Sequence, residues 1–342
     1  MSVKADTAKI KKVLIVRWGA LGDLALCSAV FQDLREELPN AEFHLNTDPS
    51  WSVLFESDDR FSRLVTTKMR GAGFRNALAN WLALLRQEKY DLIIDLQSND
   101  RSRLFLAVAL FLGVAPRLRL STRSVFPYNV ATPESNTRMH ALQVFRVPLR
   151  ALGLHPSHDQ PVLFFSDDAK QRAENLIKKH HLLKGKFIIL VPGSSISGAH
   201  KRWGDKNYIE LGKELLDDKT VLQVAVLGGK SDEQLCQSIC DDIGESAINL
   251  AGQTRLDEIT TIINASFAVV ANDTGLAHMA AATDRPVVVI CGPTLASRVK
   301  PAGSNVTAFQ ADIDCFASAS AEDCMSQVTA EMVRSVFKNS GE

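Results

Sequence analysis

The stretch Asp273-Thr274-Gly275-Leu276-Ala277-His278 sets a carboxylate, a hydroxyl and a glycine where an apolar run, Phe267 to Ala271, gives way to a helical pattern, Leu276 to Ala282. The first N–H groups of a helix lack internal partners and carry partial positive charge, so they suit a phosphate. Gly275 lets a ligand approach the backbone closely. These residues point to a nucleotide or sugar-diphosphate site. The competing reading is that Asp273 is only a helix N-cap.

A second acidic turn, Trp18-Gly19-Ala20-Leu21-Gly22-Asp23, follows the first apolar strand pattern, Lys12 to Arg17. Its glycines fit neither Gly-x-Gly-x-x-Gly nor a phosphate loop ending in Gly-Lys-Ser/Thr. The loop ends instead in a carboxylate. At a strand end, Asp23 has the chemistry to take a proton from a substrate hydroxyl; capping the helix is again the alternative. A third turn holds Ser194 and Ser195, then Lys201-Arg202-Trp203. Its hydroxyls suit phosphate oxygens, and Lys201 suits an anionic leaving group; a solvated basic turn is the plainer reading. Gly228-Gly229-Lys230 permits close approach to a ribose or base.

Arg101, Arg103, Arg117, Arg119 and Arg123 fall within one stretch that contains no acidic residue. The guanidinium fork pairs with carboxylates and phosphates, so the group favours an anionic acceptor or an anionic membrane surface over a merely solvated face. Six cysteines show no Cys-x-x-Cys, and no zinc set is completed, so no metal or cofactor is expected. Reduced thiols in a cytoplasmic protein are expected, with a bridge between Cys315 and Cys324 as the alternative.

These residues need a scaffold that brings loops to one edge. Strand and helix patterns alternate from end to end, implying parallel sheets covered by helices. In the second half, strands are expected at Phe187–Val191, Gln223–Leu227, Ile248–Leu250, Phe267–Ala271 and Pro286–Cys291, a doubly wound series. A chain of 342 residues is long for one core, so two domains are expected. The Pro-containing segment 155–161 is the linker candidate and sets a boundary near residue 160. Lys plus Arg equals Asp plus Glu at 39 each, which argues against general nucleic-acid binding. The apolar run Leu104 to Ala115 is too short to span a bilayer and reads as a buried helix.

Taken in order, the motifs resemble the heptosyltransferases of bacterial lipopolysaccharide synthesis, glycosyltransferase family 9. The resemblance is carried by Leu14-Ile15-Val16-Arg17 with Gly22-Asp23, Tyr90-Asp91-Leu92-Ile93-Ile94-Asp95-Leu96-Gln97, Lys201-x-Trp203, Gly228-Gly229, Ala251-Gly252-Gln253-Thr254-x-Leu256, the Asp273 signature, and Cys324-Met325 with Glu331-x-Val333. It implies a GT-B fold: two Rossmann-like doubly wound domains, 1–160 for the acceptor and 161–328 for the nucleotide sugar, facing a central cleft. A final helix in 329–342 would pack back on the first domain.

The implied reaction moves a heptose from an ADP-heptose type donor to an anionic, lipid-linked inner-core acceptor, inverting the anomeric centre. Asp23 would be the base and Lys201 would stabilise the departing diphosphate. Ser194, Ser195, Thr254, Asp273, Thr274, Gly275 and His278 would bind donor. Gly22, Arg101, Arg119 and Arg123 would meet the acceptor, and His140 also fits a family position. No metal would be needed. The enzyme would be cytoplasmic, with peripheral contact at the inner membrane. The chain departs from the pattern in a long Ser194–His200 segment, in Lys230-Ser231-Asp232-Glu233, which leaves the ribose partner open, and in a cysteine-rich loop reduced to two residues. A different nucleotide sugar or glycan acceptor, or a non-catalytic binding protein, are the alternatives.

Overall fold

A computed structural model describes residues 6–68, 73–132, 138–194 and 196–338. The chain forms two compact units, residues 1–165 and 166–342. In the first, parallel strands β1 (Lys12–Val16), β2 (Glu42–Thr47), β3 (Arg63–Thr66), β4 (Leu92–Asp95) and β5 (Leu118–Ser121) lie in the order β3-β2-β1-β4-β5. Its helices are α1 (Leu21–Glu37), α2 (Phe74–Glu88), α3 (Asp100–Phe111), α4 (Ala141–Phe145) and α5 (Val147–Ala151).

The second unit has parallel strands β6 (Phe187–Val191), β7 (Gln223–Val226), β8 (Ala247–Asn249), β9 (Ala268–Asn272), β10 (Val287–Cys291) and β11 (Val306–Gln310), in the order β11-β10-β9-β6-β7-β8. Its helices are α6 (Asp167–Lys179), α7 (Asp205–Asp217), α8 (Glu233–Ile243), α9 (Ile259–Ala265), α10 (Gly275–Ala280), α11 (Ala296–Val299), α12 (Ala321–Met325) and α13 (Ala330–Lys338).

The central strands are continuous apolar runs because helices cover both faces of each sheet. Every residue of β4, β6, β9 and β10 is buried. Register is set strand by strand: Ile15 of β1 pairs with Leu45 of β2 and Ile94 of β4, and Ile189 of β6 pairs with Ala225 of β7 and Val269 of β9. The strand order reverses between β1 and β4 in one unit and between β6 and β9 in the other. In open α/β sheets such reversals open a crevice at the carboxyl ends of the strands. The turns holding Asp23, Ser194 and Asp273 all leave strands that flank a reversal.

Several expectations need correction. The segment 155–161 is not a free linker. The N–H groups of Ser157 and His158 donate to Asp33 Oδ1 at 2.7 and 2.9 Å, Arg146 Nη1 bonds Asp159 at 2.8 Å, and Val162 N–H donates to Ser28 at 2.9 Å. The division therefore falls at 165/166. Helix α13 falls within the expected segment, but it packs on α7 of its own unit: Arg334 Nη2 is 2.7 Å from Asp218, and Phe337 is buried with its ring centroid 5.8 Å from that of Phe267. Cys315 and Cys324 form a disulfide, brought together by a 3₁₀ turn at Asp314–Ala317 and by α12. The other four cysteines are free and buried. Strands β5 and β11 escape the hydrophobic pattern because each lies at a sheet edge and carries polar residues: LRLS and VTAFQ. Helix α3 is not fully buried. Phe105, Leu106 and Ala109 enter the core, whereas Leu104, Phe111 and Leu112 are exposed.

Candidate active site

In the second unit the site is organised by Asn272, the last residue of β9, which is fully buried. Its Oδ1 accepts from Trp203 N–H at 2.9 Å and from the Tyr208 hydroxyl at 3.1 Å, and its Nδ2 donates to the Pro192 carbonyl at 2.8 Å. One amide thus joins the end of β6, the end of β9 and the Lys-Arg-Trp turn. Trp203 anchors that turn from below. Its indole N–H donates to the Val328 carbonyl at 2.6 Å, and its ring meets Tyr208 edge-on at 4.9 Å between centroids.

The anchored turn delivers Lys201 to Asp273, Nζ to Oδ2 at 2.7 Å. Asp273 is 8% exposed and does not cap α10; Thr274 holds the capping position, with extended backbone and no side-chain capping bond. His278, one turn along α10, places Nε2 3.8 Å from Asp273 Oδ1. Burial by itself would push the Asp273 carboxyl up, but His278 and Lys201 beside it outweigh burial and hold it below the usual carboxylate value. The Thr274 hydroxyl and His278 Nδ1 are buried with no hydrogen-bond partner. Buried polar atoms are rarely left unmatched, and each such orphan calls for a reason. Here two orphans lie beside one carboxylate–ammonium pair, next to the N–H groups that open α10. That arrangement can take an anionic, hydroxyl-rich ligand.

The adjoining turns form a supporting layer. Arg202 Nε donates to Ser194 Oγ at 3.1 Å and reaches toward Asp232, Nη2 to Oδ1 at 3.6 Å. Asp232 Oδ2 in turn accepts from Gly229 N–H at 3.1 Å. A Cβ at residue 193 would lie 2.5 Å from Asp232 Cγ, which is why a glycine stands there. Thr254 is half-buried in the turn after β8, and that turn is tied to Gly228 through Gly252 N–H at 3.1 Å. Ser195 lies outside the described residues.

In the first unit Asp23 is the third residue of α1, not its cap, and its side chain is 40% exposed. Its carboxylate accepts from Arg17 Nη2. Arg17 is itself buried: Nη1 donates to the Leu96 carbonyl at 2.6 Å, and the guanidinium lies 4.8 Å from the centroid of the Phe145 ring. The loop between them is clamped by Trp18, whose N–H donates to Gln97 at 2.9 Å and whose indole donates to Asn46 at 2.8 Å. Gly19 has φ +141°, and a Cβ there would lie 2.8 Å from Trp51 Nε1, so both conformation and space exclude a side chain. Gly22 sits beside Asp23 in the first helical turn. Asp95 ends β4 and is buried, accepting from the N–H groups of Gln97 and Ser98 at 2.9 Å each and from the Tyr128 hydroxyl at 2.5 Å. Burial pushes its carboxyl up.

The three arginines expected at an acceptor stand on different elements. Arg119, within β5, donates to the carbonyls of Pro116 and Pro127 at 2.9 Å each, so it braces the 116–129 segment. Arg101 lies in the first turn of α3 and Arg123 follows β5, both exposed. His140 Nδ1 accepts from Leu142 N–H at 3.2 Å and caps α4. Among the described residues no group of three or more His, Cys, Asp or Glu is placed to hold a metal ion.

Sequence reasoning assigned Lys201, Asp273, Thr274, Gly275 and His278 to one place, missed Asn272, and gave no role to Arg17 or Gln97. A usable signal was present: each is a polar residue at or just beyond the end of an otherwise apolar strand.

The profile of glycosyltransferase family 9 (heptosyltransferase) matches residues 80–329. A lipooligosaccharide heptosyltransferase 2 from Haemophilus influenzae is 25% identical over 308 residues, covering 86% of this chain and 87% of that protein. A family 9 glycosyl transferase from Veillonella parvula superposes with a TM-score of 0.85 at 17% identity, over 98% of this chain and 99% of that one. The ADP-heptose lps heptosyltransferase II of Escherichia coli gives 0.75 at 22% identity, over 97% and 100%. The GT-B class of fold is thereby established for two Rossmann-like units in one chain.

Proposed function

Because the chain belongs to glycosyltransferase family 9, the heptosyltransferases, we propose that it transfers heptose from an ADP-heptose type donor to an inner-core sugar of lipopolysaccharide with inversion. Asp23 takes the proton of the acceptor hydroxyl. That oxygen forms a bond to the anomeric carbon of the donor while the bond from that carbon to the diphosphate oxygen breaks. ADP departs with the electron pair. Attack from the face opposite the leaving group inverts the centre, as in base-assisted glycoside hydrolysis.

The two turns suit these separate duties. Asp23 is open enough to meet a hydroxyl, and Arg17 holds its carboxylate in one orientation. Lys201 places an ammonium where the diphosphate leaves, with the Thr274 hydroxyl and the N–H of Gly275 as further donors. Asp273 carries the wrong charge for phosphate and faces the sugar hydroxyls. Thr254 lines the adenine side. Gly22 and the exposed arginines meet an anionic acceptor at the cytoplasmic face of the inner membrane. No helix among the described residues is long and apolar enough to cross a membrane.

The single observation that carries this reading is the Lys201–Asp273–His278 group with its two unmatched polar atoms at the β6/β9 reversal. The test is Asp23→Ala. Transfer is expected to fall by about 10²–10⁴, while calorimetry shows donor binding unchanged. Normal transfer by the variant overturns the base assignment, and a wild-type protein that binds no nucleotide sugar overturns the whole reading.

A further inference from the structure

Helix α3 presents apolar side chains on two faces. Phe105, Leu106 and Ala109 pack inward, while Leu104, Phe111 and Leu112 point to solvent, Phe111 with 91% of its surface exposed. A helix apolar all round is normally a buried one, so the outer face of α3 calls for a cover. Arg101, Leu104, Val108 and Phe111 follow one another at helical spacing and form a single stripe. The loop after β5 lies against a neighbouring face of the same helix. Arg103 Nη2 lies 3.5 Å from the Phe126 carbonyl, and the Phe126 ring is itself 68% exposed.

Charge identifies the cover. The stripe begins at Arg101, Arg123 is exposed in the same loop as Phe126, and no Asp or Glu occurs between Arg101 and Thr132. Asp100, at the start of α3, is the acidic neighbour, and it faces Arg103 Nη1 at 3.2 Å. Exposed aromatic and aliphatic side chains bordered by arginines match the boundary between acyl chains and anionic headgroups. We propose that the outer face of α3 and the Phe126 loop dock this protein on the anionic surface of a phospholipid bilayer, with Phe111 and Phe126 inserting below the headgroups. The inference rests on the lipid-anchored acceptor proposed above. Docking would bring the first unit to the surface where that acceptor resides.

The test is flotation of the full chain with vesicles of phosphatidylethanolamine and phosphatidylglycerol, compared with phosphatidylcholine alone. Wild type is expected to bind the anionic vesicles, more weakly at high salt and on the neutral ones. The paired variant Phe111→Ser/Phe126→Ser should lose binding by at least about tenfold with an unchanged melting temperature, since both rings are exposed. Its transfer to a delipidated, soluble acceptor should stay at the wild-type level. Equal vesicle binding by variant and wild type overturns the proposal. So does a concentration-dependent dimer that the paired variant abolishes, which would make this face a contact between copies. If the protein binds vesicles through these residues yet transfers no heptose, the docking surface stands and the proposed reaction falls.

Discussion

The turns that carry Asp23 and Asp273 are built alike and tuned differently. Each leaves a buried parallel strand beside the reversal in its sheet, and each pairs a carboxylate with a cationic side chain. In the first the buried partner is the cation, Arg17, and the carboxylate is 40% exposed. In the second the buried partner is the carboxylate, 8% exposed, with Lys201 the more open of the two. The contrast follows the proposed duties. A base must reach a hydroxyl that arrives from solvent, whereas a donor site gains from groups fixed in place before the ligand binds.

The contrast can be broken or sharpened by substitution. The largest expected effect is on turnover: Lys201→Ala lowers kcat by about 10²–10³, read from initial rates at saturating donor. A variant with normal kcat and only a raised KM would make Lys201 a binding group alone. Next in size is Asn272→Leu, which leaves the Trp203 N–H, the Tyr208 hydroxyl and the Pro192 carbonyl without their partner. Urea unfolding should show a loss of at least about 3 kcal/mol; a loss under about 1 kcal/mol would mean that the turn is held by Trp203 alone.

A smaller effect tests the two carboxylates directly. Asp273→Asn should cost about 1.5–3 kcal/mol at neutral pH; Asp23→Ala, although the Asp23 side chain is open, takes the partner from the buried Arg17 guanidinium and should cost at least about 1 kcal/mol. The Asp273 contribution has a defined pH window. Its folded-state value lies below the ordinary 3.8, so the stabilisation is complete above 3.8 and is lost as pH falls through the folded value. The wild type and Asp273→Asn should therefore converge only below pH 3.8, as followed by thermal melts across pH. A gap between wild type and Asp273→Asn that persists well below pH 3.8 would show that the Asp273 carboxylate is not held by its cationic neighbours.

The smallest effect is an expected silence. Burial pushes the thiols of Cys27, Cys236, Cys240 and Cys291 up to about 12. A thiol reagent should label none of them in the native protein and all four after unfolding in urea. Rapid native labelling at Cys291, beside Asp273, would show that the donor turn opens more readily than its packing indicates.

Much of this was legible in the amino-acid sequence for a physical reason. Parallel strands covered on both faces must be apolar throughout, so FIILV and VVVIC announce themselves, and turns rich in glycine and carboxylate mark the strand ends. That much, with the order of the motifs, determined two doubly wound units, the glycosyltransferase family and most of the residues now found around Asp273. Edge strands β5 and β11 were less visible because half-open positions tolerate Arg119 and Thr307.

Tertiary structure alone decided the rest. Whether Asp273 caps a helix or pairs with Lys201 depends on a contact between residues 72 positions apart, and the role of Asn272 in pinning the turn that carries that lysine is likewise long-range. It took packing to reassign Arg119 to backbone carbonyls and α13 to the second unit, and to turn the outer face of α3 toward solvent. Local spacing specifies which residues share a face. Only the folded chain specifies what that face meets, because burial and pairing are set by neighbours distant in sequence.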